Sequence, residues 1–217
     1  MKHLRSPVDG ATETQIKVPT RRAVAKQQTR GRVLAAARVL FSAQGYEGAT
    51  IRDIAAAAGM STGAVFANFS DKSDLFREIM VSDMERLLAQ MQADVVGATR
   101  VDDAVLKLFD AGYSFYQSEL PLARAAFGVS WSPRDGHVLR GVPPVQAMRD
   151  LIADQLRAGI VREELSSDSN VKLRSEMLFD AYLSNFPQAI FGGSTLNELR
   201  TKAREQIRVI LAGARRG

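Results

Sequence analysis

The chain of 217 residues has no cysteine, one tryptophan and only two histidines, His3 and His137. Without thiolates there is neither a disulfide framework nor a thiolate zinc site. No histidine pair or carboxylate-rich cluster suggests another metal, and no cofactor is expected. Long apolar runs are also missing: Val33 to Ala37 and Ile54 to Ala58 fall far short of the roughly 18 residues of a spanning helix. The first residues, Met1-Lys2-His3-Leu4-Arg5, meet Pro7, Asp9, Gly10 and Glu13 where a secretory signal would have an apolar core. These absences point away from membranes and toward a reducing cytoplasm. No alternating apolar pattern of useful length occurs, which leaves an all-α fold.

What is present is a core-forming composition, 46% hydrophobic, with an uneven charge. Residues 1 to 80 hold twelve Lys and Arg against seven Asp and Glu, whereas residues 81 to 217 hold seventeen of each. The excess positive charge therefore lies in the first third, the footprint expected where one part of a chain meets a polyanion. Residues 1–26 are interrupted by Pro7, Gly10 and Pro19, and their second half is basic through Lys17, Arg21, Arg22 and Lys26. They read as a flexible arm, either inert or able to reach a minor groove.

Helical periodicity starts at 27. Val33, Leu34, Ala37, Leu40 and Phe41 share one face of a helix over 27–44 that Gly45 ends. Thr50 is placed to cap a second helix over 51–58, which Gly59 stops. The segment Gly59-Met60-Ser61-Thr62-Gly63 has the letters of a serine hydrolase's nucleophile elbow. That motif needs a strand before the serine, and Ile54-Ala55-Ala56-Ala57-Ala58 is helix-forming sequence. Ser61 reads instead as the N-cap of a third helix over 62–68, with Met60 and Val65 spaced as a hydrophobic staple. Helix, short turn and helix make a helix-turn-helix. A long helix over 72–94 follows, then five helical stretches at about 101–118, 120–130, 143–159, 168–192 and 195–213. Pro187 withholds an amide from the carbonyl of Leu183, so a kink or break is expected there. The one obvious long loop runs from Trp131 to Gly141.

The stretch from Thr29 to Phe76 strongly resembles the DNA-binding domain of the TetR family of bacterial transcriptional regulators. The matching elements are Thr29-Arg30, Ala36-Ala37 with Leu40-Phe41, Gly45-Tyr46 with Thr50, Ile54-Ala55 with Ala58-Gly59, Ser61-Thr62-Gly63, Phe66 with Phe69, and Lys72 with Leu75. The resemblance implies a helix-turn-helix domain over 27–76, joined by the helix at 72–94 to a helical effector-binding and dimerisation domain over 77–217. It implies that the helix beginning at Thr62 enters a major groove, with Thr62, Gly63, Ala64, Ala67 and Asn68 near bases or phosphates and Arg52 on the supporting helix beside them. Arg52 could give guanine a bidentate contact, and Asn68 could bond a base or a phosphate. Thr50 and Lys72 would meet the backbone and position the domain. Phe66 is also placed by the resemblance among the DNA-binding residues, but it stands where the family usually has tyrosine and has no hydroxyl for a phosphate, so packing is its alternative role; Asn68 stands where histidine is often found.

The implied partners are an operator duplex, a second copy of the chain and a small organic effector. Leu178, Ala181 and Phe186, with Leu199, Ala203, Ile207 and Ile210, form stripes that could pack a subunit core or, as the resemblance implies, a dimer interface. Phe109, Tyr113, Tyr116, Phe127, Trp131, Met148 and Tyr182 are candidates for an effector pocket. Two other functions compete with a regulator released from DNA by its ligand: a hydrolase acting through Ser61, and a helical protein-interaction module that ignores DNA. The second leaves the location of the excess charge unexplained.

Overall fold

The computed structural model describes residues 20–132 and 142–215, with Trp131 represented by its backbone. Among these residues there are ten helices and no strand, apart from one isolated bridge between Leu165 and Arg215. They are α1 (Arg21–Gly48), α2 (Ile51–Ala57), α3 (Thr62–Phe66), α4 (Lys72–Asp94), α5 (Val101–Ser118), α6 (Leu120–Trp131), α7 (Pro143–Val161), α8 (Val171–Ser184), α9 (Phe186–Ile190) and α10 (Leu196–Ala212).

The first helix begins at Arg21 rather than at 27, because the Thr20 hydroxyl accepts the Ala23 amide at 3.3 Å and caps it. Residues 21–26 of the expected arm are therefore helical, and residues 1–19 lie outside the described residues. Gly45 ends the regular helix, as expected, and a short second helical turn follows it. Its φ of 74° breaks the regular turn, and the chain makes one more turn to Gly48. That extra turn drops Tyr46 into the core, 5.8 Å from the Phe41 ring and 5.0 Å from Phe76.

Two apolar cores result. The smaller gathers Val33, Ala37 and Phe41 of α1, Ile54 and Ala55 of α2, Val65 of α3, Phe69, and Leu75 and Phe76 of α4. Helices of seven and five residues such as α2 and α3 are too short to persist alone in water. Burial holds them in place, each buried Phe or Leu contributing roughly 1.5–3 kcal/mol. The larger core is built from the second half of α4 with α5, α7, α8, α9 and α10, around Leu108, Phe109, Tyr113, Leu156 and Leu178. Helix α6 belongs to both. Leu122, Ala125 and Val129 sit in the smaller core and Ala123 in the larger, so one helix is a wall of each.

The expected helix over 168–192 is two helices, α8 and α9, parted at Asn185 with Pro187 in the first turn of the second. The stripe assigned to a dimer interface is largely spent inside the subunit. Leu178 and Ala203 are fully buried, Leu199 and Ile207 are 1% exposed, and Phe186 also turns inward. Ala181 and Ile210 are half-buried. Apolar periodicity identified a buried face correctly; it carried no information on whether this chain or a second copy covers it.

Candidate nucleic-acid interface and apolar cavity

The face that α2 and α3 present outward is built by caps and by two arginines of α1. The Thr50 hydroxyl accepts the Asp53 amide at 3.2 Å and donates to the Asp53 carboxylate at 2.6 Å, starting α2. At its end the Arg32 guanidinium donates to the Ala58 carbonyl at 2.7 Å, and Gly59 takes φ 65° to reverse the chain. The Ser61 hydroxyl accepts the Ala64 amide at 3.2 Å, so the serine of the hydrolase-like motif caps a helix and follows another helix instead of a strand. Met60 and Val65 both pack into the smaller core. Arg30 then clamps the far end of α3. It pairs through two nitrogens with the Glu78 carboxylate, donates to the Asn68 carbonyl, and lies 4.1 Å over the Phe69 ring.

Arg52, Thr62, Gly63, Phe66 and Ala67 are exposed on this face, together with Thr50, while Ala64 is half-buried. Arg52 has no hydrogen bond or ion pair among the described residues. Phe66 is 55% exposed, so of its two expected roles packing is not the one it has: Val65 in α3 and Phe69 just beyond it are the buried residues of this segment. Gly63 is a helical residue with no internal need for glycine. A Cβ there would find only the Ser61 hydroxyl, at 3.8 Å. Two residues expected to contact DNA, Asn68 at a base or phosphate and Lys72 at the backbone, turn inward. Asn68 returns its amide to the Ala64 carbonyl at 2.9 Å, and the Lys72 ammonium donates to the Tyr46 carbonyl at 2.8 Å while lying 4.3 Å over the Tyr46 ring. Both stabilise the segments that flank the exposed face. Arg30 is one of the matching elements and Arg32 lies within the resembling stretch, but the sequence does not show which helix ends they hold, because those ends are distant in sequence.

The body contains a cavity of about 260 Å³. Met84 of α4 and Tyr116 of α5 form one wall, and Ala123, Ala126 and Phe127 of α6 form another. Val145 and Met148 of α7, Phe179 and Tyr182 of α8 and Phe186 and Ile190 of α9 close it, with exposed Ser130 and Leu183 on the rim. Of the expected pocket residues, Tyr116, Phe127, Met148 and Tyr182 line it. Phe109 lines only a small void beside it, and Tyr113 is buried behind Tyr182 with its ring stacked at 5.4 Å. The Trp131 side chain and His137 lie outside the described residues. Phe186, assigned to a dimer, is part of the wall. The alanines of α6 make the space, and the signal for them is the run Ala123-Arg124-Ala125-Ala126-Phe127, where small residues adjoin an aromatic one.

Three tyrosines stand together at the inner wall. Burial pushes the Tyr113 hydroxyl up to about 12, although it accepts a 2.8 Å hydrogen bond from the Asn185 amide. Burial, with the nearby Asp83 carboxylate, raises Tyr116 to about 12. Tyr182 is raised further, first by burial and then by the other two tyrosines. Its hydroxyl has no partner among the described residues and fills the space a side chain at Gly112 would need, 1.9 Å from the position of a Cβ there. Beside Tyr116, the buried Asp83 carboxylate receives Arg38 from α1 and Arg86 from the next turn of α4, tying the smaller core's first helix to the cavity's edge.

Comparison with known proteins gives one consistent picture. A family model described as bacterial regulatory proteins, tetR family, matches residues 33–79. An HTH-type transcriptional repressor of Mycobacterium tuberculosis is 31% identical over 145 residues, spanning 64% of this chain and 72% of that protein. The HTH-type transcriptional regulator UidR of Escherichia coli is 28% identical over 155 residues, 71% of this chain and 78% of its own length. Among solved structures, the transcriptional regulator FadR of Bacillus subtilis in complex with stearoyl-CoA shares the fold, with a TM-score of 0.70 at 16% identity over 82% of this chain and 96% of that one.

Proposed function

Because the chain belongs to the TetR family of bacterial regulatory proteins and is a helix-turn-helix transcriptional regulator, we propose that it is a homodimeric repressor that holds a palindromic operator until a small organic effector occupies the cavity. The observation that carries the DNA side is the exposed α2–α3 face, with Arg52 unpaired among the described residues, Thr62 exposed, and Gly63 where a Cβ would meet only the Ser61 hydroxyl at 3.8 Å. Arg52 and Thr62 read base edges, Gly63 and Ala64 let the helix approach closely, and Phe66 and Ala67 give apolar contact to thymine methyls or sugars. Thr50 leaves the α2 N-terminus facing a phosphate, and Asn68 and Lys72 act by positioning.

Two recognition helices must lie about 34–36 Å apart to enter successive major grooves, which requires a second copy. The surface that suits this role is the outward face of α8 and α10, where Leu173, Met177 and Val209 are exposed large apolar residues. Release follows from the shared wall. A ligand against Ala123, Ala126 and Phe127 presses on the helix whose other side, through Leu122, Ala125 and Val129, belongs to the reading domain's core. It shifts the balance only by its differential affinity for the two arrangements.

The test is a titration of the purified protein against the DNA upstream of its own gene and against an unrelated duplex, at several salt concentrations, with Arg52→Ala beside it. Tight binding to the upstream duplex alone, weakened by the substitution, is expected. Equal and steeply salt-dependent binding to both duplexes would reduce the interaction to phosphate attraction and remove the operator reading.

A further inference from the structure

Among the described residues, no charged side chain lines the cavity. Arg149 rests 4.6 Å from the centre of the Phe179 ring, and Arg124 donates to the Ile190 carbonyl, but neither is among the lining residues. The Asp83 carboxylate beside Tyr116 is already held by Arg38 and Arg86. The polar atoms at the wall are equally constrained. Ser130 donates its hydroxyl to the Ala126 carbonyl at 2.9 Å, and the Tyr182 hydroxyl is tucked against Gly112. Tyr116 differs: its ring lines the space, and its hydroxyl, which like that of Tyr182 has no hydrogen-bond partner among the described residues, is not the group packed against Gly112.

On the reading of this cavity as the effector site, we infer that the effector is an uncharged, compact, mainly apolar molecule, aromatic or polycyclic, whose one polar anchor is an acceptor oxygen met by the Tyr116 hydroxyl. An ionised carboxylate, phosphate or ammonium would lose its hydration and gain no counter-charge, a cost that a single phenol cannot offset. A carbonyl or ether oxygen loses little and regains its hydrogen bond. Burial and Asp83 keep the Tyr116 proton in place across the physiological range, so the group is available as a donor. At about 260 Å³ the space lies just below the roughly 300–1,000 Å³ of drug-sized sites, which favours two or three fused or linked rings over a long chain.

The experiment uses the full chain and the neutral fluorophore N-phenyl-1-naphthylamine, displaced in turn by 2-acetylnaphthalene and its near-isostere 2-naphthoate. The fluorophore is expected to bind the native protein and to be lost from Val145→Phe, with Ser130→Phe on the exposed rim as a second blocking variant that leaves the core intact. The ketone should displace it at a concentration on the order of a hundredfold lower than the carboxylate. Tyr116→Phe should weaken the ketone about threefold to tenfold and leave 2-ethylnaphthalene unchanged. Equal or tighter binding of naphthoate, especially if Arg149→Gln abolishes it, would overturn the charge rule while leaving the cavity as an effector site. No binding of any of the four probes to the native protein would overturn the effector reading itself.

Discussion

Gly63 and Gly112 are both helical glycines, and they are there for opposite reasons. At Gly112 a Cβ would lie 1.9 Å from the Tyr182 hydroxyl, so the missing side chain is filled from within the subunit. At Gly63 a Cβ would meet nothing closer than 3.8 Å, and the residue is exposed. A glycine inside a helix costs about 1 kcal/mol relative to alanine. In the body that cost is offset by an internal contact; in the reading head nothing internal offsets it. One region is shaped by what it encloses, the other by what it meets.

The difference can be broken or sharpened by experiment, and the largest effect belongs to the body's tyrosines. Tyr113 and Tyr116 ionise near 12 in the folded chain and near 10 when unfolded, and Tyr182 is shifted in the same direction. Because the folded values are raised, their contribution to stability is complete below pH 10 and is lost as pH rises through about 12. Urea melts at stepped pH should show that loss, and replacing Tyr182 with phenylalanine should reduce it. Next comes Gly112→Ala. Alanine's helix preference works in its favour, yet the clash with Tyr182 should lower stability by about 1–3 kcal/mol, and a thermal melt unchanged from the native protein would mean that the ring has room to move. Third is Arg30→Ala, which removes the clamp on Glu78, the Asn68 carbonyl and the Phe69 ring. A loss of about 1–2 kcal/mol is expected, accompanied by a larger fall in operator affinity than the stability change alone explains, because α3 loses its fixed orientation.

The same contrast explains what could be read from the sequence. The reading head lies within a contiguous stretch, and its signals are local: Thr50 and Ser61 cap the helices that follow them, Gly59 turns the chain, and Met60 with Val65 staples it. The break at Pro187 was legible for the same reason, since a missing amide acts on a carbonyl four residues away. The cavity is assembled from six helices, and its volume comes from Ala123 and Ala126, residues that announce nothing individually. The stripe through Leu178, Leu199, Ala203 and Ile207 is legible as apolar, but periodicity gives a face and not its occupant, and here the subunit itself buries it. Leu173 and Met177 are four residues apart, but Met177 and Val209 adjoin Leu178 and Ile210, so the stripe through those residues masks them. Thr20 was passed over as a cap because the exposed turns after it lack an apolar stripe.

The most direct test of the outward-facing design is Gly63→Ala, measured twice on the same preparation by thermal melting and by titration with the upstream duplex. The account predicts a protein as stable as the native one, or more stable by up to about 1 kcal/mol, that binds the duplex at least about tenfold more weakly, equivalent to about 1.4 kcal/mol. Unchanged affinity in the stabilised variant would contradict it, showing that the α2–α3 face does not approach DNA closely at Gly63.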